Sequence, residues 1–353
     1  MAVNRETIRL TKELELVVDD QVAGWVRRLT ASWVRSWALV EAEWKTVTEQ
    51  LAREAQAPSR RTLRRARNVR RALNSMRDQL DGLVALTNGM LVGGTRDLVL
   101  ESARMQARII AAQLPRNSVA RALVESRDPL PNRQLERIVR RTAQQITSQL
   151  RPLSAEATDA VIDQLVIGAA RGQNPRLTAS RMLQQVRGGF NGGLTRALVV
   201  ARTETIDAHR DAARTSQNQH TDVLSGWQWV AKLSDRTCPA CWGLHGTKHP
   251  LDEPGPQGHQ QCRCARVPVT KTWRELGIDI PEPPSLIRDG EQEFGRLPRR
   301  QQLDIMGPTR LRALESGRAT WDELAQLRKN PGWRDGYYVR PVSDFRRRMN
   351  RTA

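Results

Sequence analysis

The stretch TCPACWGLHGTKHPLDEPGPQGHQQCRC, residues 237–264, contains all four cysteines of this 353-residue chain. Three of the five histidines, His245, His249 and His259, lie in the same stretch. Two alternating patterns flank it, GWQWVAKL at 226–233 and CRCARVPV at 262–269, and each is typical of a β-strand. If the two strands pair, the two ends of the cysteine stretch meet at neighbouring strand ends.

The two strand patterns predict which side chains share a face. Trp227, Trp229, Ala231 and Leu233 alternate with polar or smaller neighbours, so they lie on one face of the first strand. In the second strand, Pro268 cannot donate a ladder hydrogen bond, and it predicts an edge strand or a short one.

The cysteines and one histidine have the spacing of metal ligands. Cys238 and Cys241 form a C-x-x-C turn, and Cys262 and Cys264, two apart in a strand, point to one face. His259 precedes Cys262 by three residues, as in a turn. Tetrahedral zinc takes four such ligands, so two sets are possible: the four cysteines, or Cys238 and Cys241 with His259 and one later cysteine. We predict one structural zinc; His245 is a weaker candidate ligand.

Other interpretations of the cluster remain open. The thiols and imidazole can hold the loop by packing and hydrogen bonds alone, or two cysteines can form a disulfide after the chain leaves a reducing compartment. A Cys–His pair can also act as nucleophile and base. Four thiols in one loop resemble ligands, however, and no acid is placed to orient a base, so we do not expect an enzyme.

The charge of the chain predicts an acidic partner. The net charge is +19 and the isoelectric point is near 11.2, which favours contact with nucleic acid or an acidic protein surface, although arginines on solvated helix faces also explain it. Residues 51–77 contain nine arginines, and Glu54 is the single acid before Arg77. The candidate contacts in this segment are Arg60, Arg61, Arg64, Arg65, Arg67, Arg70 and Arg71.

The N-terminal half has helical periodicity. One or two helices are predicted over 5–57, in which Trp25, Trp33, Trp37 and Trp44 return to one helix face. We interpret this stripe as packing against another helix, with docking to a partner as the alternative. Further helices are predicted at 60–86, 95–113, 117–126, 132–150, 154–168, 176–189 and 195–219. Asn88-Gly89, Gly93-Gly94 and Phe190–Gly193 are interpreted as loops between them.

The C-terminal part predicts shorter elements. A helix over 291–306 breaks near Pro298, and the capping box Thr320–Glu323 predicts a helix through Leu327. The basic tail that contains Arg346, Arg347, Arg348 and Arg351 is expected to fray. The N-terminal residues lack a signal-peptide pattern and no stretch is apolar enough to span a bilayer, so we expect synthesis in a reducing cytoplasm and no membrane contact.

Together these patterns predict a mainly α fold with a small α+β domain. An extended helical N-terminal region precedes a small Cys/His-containing domain of a β-hairpin and helix. The predicted domains are a helical docking region at 1–174, the Cys/His domain at 175–272, and a C-terminal extension of short helices with a basic tail at 273–353.

The motif resembles that of the Mu F-like minor head proteins of tailed phages, also called the phage head morphogenesis family. The resemblance covers about 175–345 and departs from the usual pattern at Gln260-Gln261, where a proline is common. The matching residues are Ala201 to Glu204, Trp229, Asp235, Thr237, Cys238, Pro239, Cys241, Leu244, His245, Gly246, Pro250, His259, Cys262, Arg263 and Cys264.

The resemblance implies a minor capsid protein that acts in head morphogenesis. Its implied partners are the portal protein, a scaffold protein or the major capsid protein, and its implied place is the virion, at the capsid interior or portal vertex. The basic composition agrees independently with non-specific contact to packaged DNA.

Two alternative functions belong to other classes. A zinc-containing nuclease of the HNH type is the nearest enzyme, but it needs a further histidine on a helix, and no histidine follows Cys264. A sequence-specific DNA-binding regulator needs a base-reading element and paired half-sites, and the sequence shows neither.

Overall fold

The computed structural model describes residues 3–53, 62, 65–149, 174–331 and 333–350. They form two compact units. The first, which we call the motif unit, comprises Met1–Asp20, Thr95–Arg141 and Thr205–Ala353. The second, the helical unit, comprises Gln21–Gly94 and Thr142–Glu204. The three domains predicted from sequence, with boundaries after residues 174 and 272, stay a prediction.

Five helices form the first part of the described chain: α1 (Arg5–Ala52), α2 (Arg67–Ala112), α3 (Val119–Ser126), α4 (Asn132–Gln149) and α5 (Pro175–Asn218). The helix predicted at 154–168 lies outside the described residues. Ser118 caps α3, since its side chain accepts a hydrogen bond from Arg121 N at 3.2 Å.

The loops predicted inside α2 and α5 are wrong. Asn88-Gly89, Gly93-Gly94 and Phe190–Gly193 all lie within continuous helices. At Gly94 the reason is packing, because a Cβ there would lie 2.7 Å from the Trp25 ring and 2.9 Å from the Gln21 amide. A glycine costs a helix only about 0.5–1 kcal/mol, so favourable packing retains the helix through such positions.

The tryptophan stripe lies in the helical unit. Trp25, Trp33 and Trp44 are at most 1% exposed, and Trp37 is half-buried. Asn68 Nδ2 donates to Gln50 Oε1 at 2.7 Å, which joins the start of α2 to the end of α1. Burial of three indole rings agrees with packing as the role of the stripe. Contact with a partner through these residues stays a prediction.

The motif unit contains a three-stranded antiparallel sheet in the order β2-β1-β3, formed by β1 (Leu224–Val230), β2 (Lys248–His249) and β3 (Ala265–Thr270). Between β1 and β2 lies the short helix α6 (Pro239–Leu244). Trp227 pairs with Pro268, and β3 is an edge strand, as Pro268 predicts. Trp227, Trp229 and Ala231 share one buried cluster, which confirms the predicted face.

The C-terminal elements are α7 (Gly290–Gly295), α8 (Arg299–Glu315), a hairpin of β4 (Ala325–Arg328) and β5 (Gly336–Val339), and α9 (Val342–Asn350). The helix predicted after Thr320 is wrong beyond one turn. The backbone N–H of Thr320 does donate to the Glu323 carboxylate at 2.9 Å, but the chain then enters β4, because pairing with β5 satisfies its backbone. The tail is not frayed through α9, because Phe345 is completely buried.

The observed architecture confirms the predicted fold class, which is mainly α with a small sheet region that carries the Cys/His cluster. None of the helices in the described part of the chain is both long and apolar enough to cross a lipid bilayer.

Candidate metal centre

The C-x-x-C turn is formed by the start of α6. Cys238 is the N-cap residue, and Pro239 occupies the first helical position, where its missing N–H costs nothing. One turn later, Cys241 is buried. The start of this short helix therefore presents two sulfur atoms, one from the N-cap residue and one from the residue three positions later.

His259 and Cys262 approach this turn from the loop before β3. His259 Nε2 lies 3.3 Å from Cys238 Sγ and 4.0 Å from Cys241 Sγ, and Cys262 Sγ lies 3.8 Å from Cys241 Sγ. Sulfur ligands of a tetrahedral zinc lie about 3.8 Å apart, given Zn–S bonds of about 2.3 Å. The distances within the cluster are thus those of ligands around one ion.

The donor atoms form two groups of three. Cys238, Cys241 and His259 form one group, and Cys241, Cys262 and Cys264 form the other; within each, the donor atoms lie within 4.8 Å of one another. Cys241 belongs to both, so it is common to every ligand set. All four cysteines are free thiols, and Cys241, Cys262 and Cys264 are buried. The structure brings together all five predicted ligands, although Cys262 and Cys264 precede β3 rather than lying within it.

The His259 ring is oriented as a ligand. Its Nδ1 lies 2.8 Å from the carbonyl oxygen of Gln260, which can only accept, so Nδ1 carries the proton. In the neutral ring, the lone pair of Nε2 then faces Cys238 and Cys241. A backbone carbonyl that fixes the tautomer in this way is the usual support of a metal-binding histidine.

The pKa values of Cys238 and His259 favour a thiolate beside a protonated imidazole. The pKa of Cys238 is lowered to about 5, first by a hydrogen bond from the Cys241 thiol and further by His259. The pKa of His259 is raised to about 9, chiefly by its hydrogen bond with Cys238. These values favour a Cys238 thiolate, the form that a metal ion binds, beside a protonated His259 ring. A metal ion bound at Nε2 would take the place of the proton on that nitrogen.

Two other histidines of the motif lie outside the cluster. His245 Nδ1 accepts a hydrogen bond from Ala231 N at 2.9 Å, and burial lowers its pKa to about 4. His249 Nδ1 lies 2.9 Å from the Glu253 carboxylate, and its ring stacks on Trp227 with centroids 4.2 Å apart. Each has a structural role, and His245 is not a ligand in this geometry.

A buried arginine of α5 holds the loop that carries the later cysteines. Arg210 donates to Cys262 O at 2.9 Å and to Cys264 O at 2.8 Å, and it pairs with Asp207 at 3.1 Å. Its side chain is only 4% exposed. This one guanidinium fixes the backbone on both sides of Arg263 and so positions two thiols.

A second arginine holds the histidine side of the same loop. Arg334 also pairs with Asp207, and it donates to Gly258 O at 2.9 Å and His259 O at 3.2 Å. Tyr337 of β5 adds a backbone hydrogen bond to Gln257 O at 2.8 Å. Neither arginine was predicted from the sequence to hold this loop. The sequence offered one signal for Arg210, which is that it follows Asp207 by three residues on a predicted helix, the spacing of an ion pair.

The loop passes so close to the cluster that residue 258 must be glycine. A Cβ built on Gly258 would overlap Cys262 Sγ and Cys262 Cβ. The Gly258 carbonyl is also the acceptor for Arg334. The glycine therefore allows the close approach of the loop to the thiols.

The basic residues predicted as partner contacts lie in a different unit. Arg67, Arg70 and Arg71 are exposed near the start of α2, and Arg65 just before it is exposed as well. Arg60, Arg61 and Arg64 lie outside the described residues. Contact between this segment and a partner stays a prediction.

Comparison with known proteins identifies the segment that contains the cluster. Residues 159–267 match the family described as Phage Mu protein F like protein. No curated protein and no solved structure matches the chain. The matched range includes Cys238, Cys241, His259, Cys262 and Cys264, the residues that the structure brings together. This segment, a little under a third of the chain, is thus similar to the Mu F-like phage proteins.

Proposed function

We propose that this protein is a minor head protein that acts in phage head morphogenesis and becomes part of the virion. The family match over residues 159–267 is the observation that carries this proposal. The role is structural rather than catalytic, because the Mu F-like segment is used to build a closed Cys/His cluster. Its partners are the portal, scaffold or major capsid protein, together with packaged DNA, whose phosphates suit a net charge of +19.

The cluster holds one structural zinc ion in this proposal. Structural zinc sites are closed and use four thiolate or imidazole ligands, whereas catalytic sites keep a position open for water. Here two groups of three donors share Cys241, three of the four thiols are buried, and His259 presents Nε2 to two sulfur atoms. When bound, zinc would tie α6 to the loop before β3.

The ligand set can be tested by zinc analysis of single variants. Wild-type protein should contain about one zinc per chain. Cys241→Ser should lose it, because Cys241 belongs to both groups of donors. His259→Asn and Cys264→Ser separate the two possible sets, since the four-cysteine set needs Cys264 and the mixed sets need His259. His249→Gln is the matched control, and it should retain zinc because His249 lies outside the cluster.

Absence of zinc from wild-type protein purified without chelator would contradict the metal centre. The cluster would then be held by packing and hydrogen bonds alone. Chelation should also lower the melting temperature of the wild type, because ligand binding is coupled to folding. A melting temperature that chelator leaves unchanged would likewise count against a structural ion.

The head role is tested in assembled particles. Purified particles should contain the protein in a small, fixed number of copies. Replacing Arg67, Arg70 and Arg71 by glutamate should lower that number if this face docks to the head. Normal incorporation of the variant would refute docking through these arginines, whereas absence of the wild type from particles would refute the head role.

Metal-dependent nicking of plasmid DNA by the purified protein would support the nuclease alternative instead.

A further inference from the structure

A second concave site lies in the motif unit, apart from the cysteine cluster. It is a cavity of about 750 Å³ lined by the start of α1, the end of α2, the segment that leads into α3, and the loop at 273–283. Its volume is within the range of sites that bury a small ligand or a short peptide segment. The proposed metal centre does not involve this cavity.

The rim of the cavity carries an excess of positive charge. Five arginines and two glutamates line it. Both glutamates are already paired: Glu6 accepts two hydrogen bonds from Arg9, at 2.8 and 2.9 Å, and Glu125 accepts one from Arg121 at 2.8 Å. The hydrogen bond with Arg9 lowers the pKa of Glu6, and Arg108 and Arg116 lower it further by charge attraction without forming an ion pair with it. With five arginines against two glutamates, the cavity keeps a net positive charge.

Two of these arginines form no ion pair in the part of the chain that the structure describes. Arg104 and Arg127 pair with acids outside the cavity, Glu101 and Asp222. Arg108 donates to the sulfur of Met105 at 3.1 Å, and among the described residues neither Arg108 nor Arg116 forms an ion pair with a carboxylate. Both are exposed. The cavity thus presents two guanidinium groups that are free to bind carboxylates.

The floor of the cavity is apolar. Leu10, Leu114 and Val124 line it and are at most 4% exposed. Trp273 also lines it, and its indole N–H is already used in a 3.0 Å hydrogen bond to Gln113 O. A ligand that fits must therefore combine negative charge at the rim with an apolar group at the floor.

We propose that this cavity, hereafter the arginine pocket, binds an acidic segment of a partner protein. Two carboxylates of the segment pair with Arg108 and Arg116, and an apolar side chain between them enters the floor. A DNA duplex fits less well, because a phosphate backbone has no apolar group to place against Leu10 and Val124. A protein surface that binds duplex DNA also lies along the backbone rather than enclosing it in a cavity.

The proposal is tested by fluorescence anisotropy with a labelled probe, a short peptide in which glutamates flank a pair of leucines. The full chain should bind this peptide, and binding should weaken as salt rises. The double variant Arg108→Glu/Arg116→Glu should weaken binding by at least tenfold, or about 1.4 kcal/mol. The matched control is Arg300→Glu/Arg312→Glu, which makes the same change of net charge on exposed residues of α8 away from the pocket, and it should bind within about twofold of the wild type.

Two further probes distinguish a pocket from general charge attraction. Replacing the leucines of the peptide by serines should weaken binding severalfold, because the apolar floor is then unused. Equal losses in the two double variants, or no binding by the wild type, would overturn the proposal. A labelled duplex that binds more tightly than the peptide and depends on Arg108 and Arg116 would assign the pocket to nucleic acid instead. If the Arg→Glu variant unfolds, Arg108→Gln/Arg116→Gln replaces it with the same expected direction.

Discussion

The motif unit uses arginine in two different settings. Around the cysteine cluster, Arg210 is almost fully buried, and its donors are directed to two backbone carbonyls and to Asp207. At the rim of the arginine pocket, Arg108 is exposed and contacts a thioether sulfur but no acid. The same side chain therefore fixes a backbone in one place and remains available for a ligand in the other.

The difference follows from the cost of burial. A buried guanidinium is tolerated only where acceptors replace the water that it loses, so its acceptors are within the fold itself. An exposed guanidinium keeps its hydration and adds little to stability, so it can exchange water for a carboxylate of another molecule. Net charge alone, which counts both kinds equally, does not show which arginines meet a partner.

The sharpest test of this comparison replaces one arginine of each kind by methionine. Arg210→Met should lower the free energy of unfolding by about 3–5 kcal/mol, because it leaves Asp207 and two carbonyls short of a donor. Arg108→Met should change it by less than about 0.5 kcal/mol. Urea unfolding of both variants measures the two effects. Similar values for the two would show that burial does not separate these arginines.

The pH dependence of the unfolding free energy tests burial at His209, the residue next to Arg210. His209 is fully buried, and its Nδ1 lies 2.9 Å from Ser102 Oγ. Burial, with a smaller effect of Arg210, lowers its pKa from 6.5 to about 4. Between these values the unfolded chain binds a proton that the folded chain does not bind, so stability falls as the pH falls from 6.5 to 4.

This loss should reach about 3 kcal/mol below pH 4, since one pKa unit corresponds to about 1.4 kcal/mol. His209→Gln, which retains a polar group beside Ser102, should flatten the curve of unfolding free energy against pH in that window. An unchanged slope in the variant would show that other groups, such as His245, cause the acid sensitivity.

A smaller effect is expected from the loop that the buried arginines hold. Gly258→Ala should lower the free energy of unfolding by about 1–3 kcal/mol, because the added methyl overlaps Cys262 and displaces the loop. Zinc content should fall with it. Gly295→Ala is the matched control, since a Cβ there meets nothing within 4 Å. A stable, zinc-replete Gly258→Ala protein would show that the loop shifts without disturbing the cluster.

Several features of the site were predictable because their signals are local. The alternation around Trp227 predicts a strand, and the C-x-x-C spacing predicts a turn with two thiols on one side. All five donor residues fall within 27 residues of chain, from Cys238 to Cys264, and pairing of the two flanking strands is sufficient to bring them together. The structure brings these residues together in two groups of three donors, while the binding of zinc stays a prediction.

Other features could not be predicted because they depend on distant residues. Arg210 and Arg334 reach the cysteine loop from positions 52 and 76 residues away along the chain from their acceptors Cys262 and Gly258. Gly94 resembles a loop residue until Trp25 is seen to pack against it. The capping box at Thr320 forms its local hydrogen bond, yet the following residues pair with β5 instead of continuing the helix.

The sequence by itself therefore determined the mainly helical class, the strands that flank the motif and the composition of the Cys/His cluster. All three depend on periodicity and spacing over a few residues, because helices and strands each repeat their side chains with a fixed period. Only the tertiary structure decided that α2 continues through Gly93-Gly94, which arginines are buried, and that Arg108 and Arg116 form no ion pair among the described residues. Those outcomes depend on burial and on acceptors contributed by remote segments, and no local pattern records either.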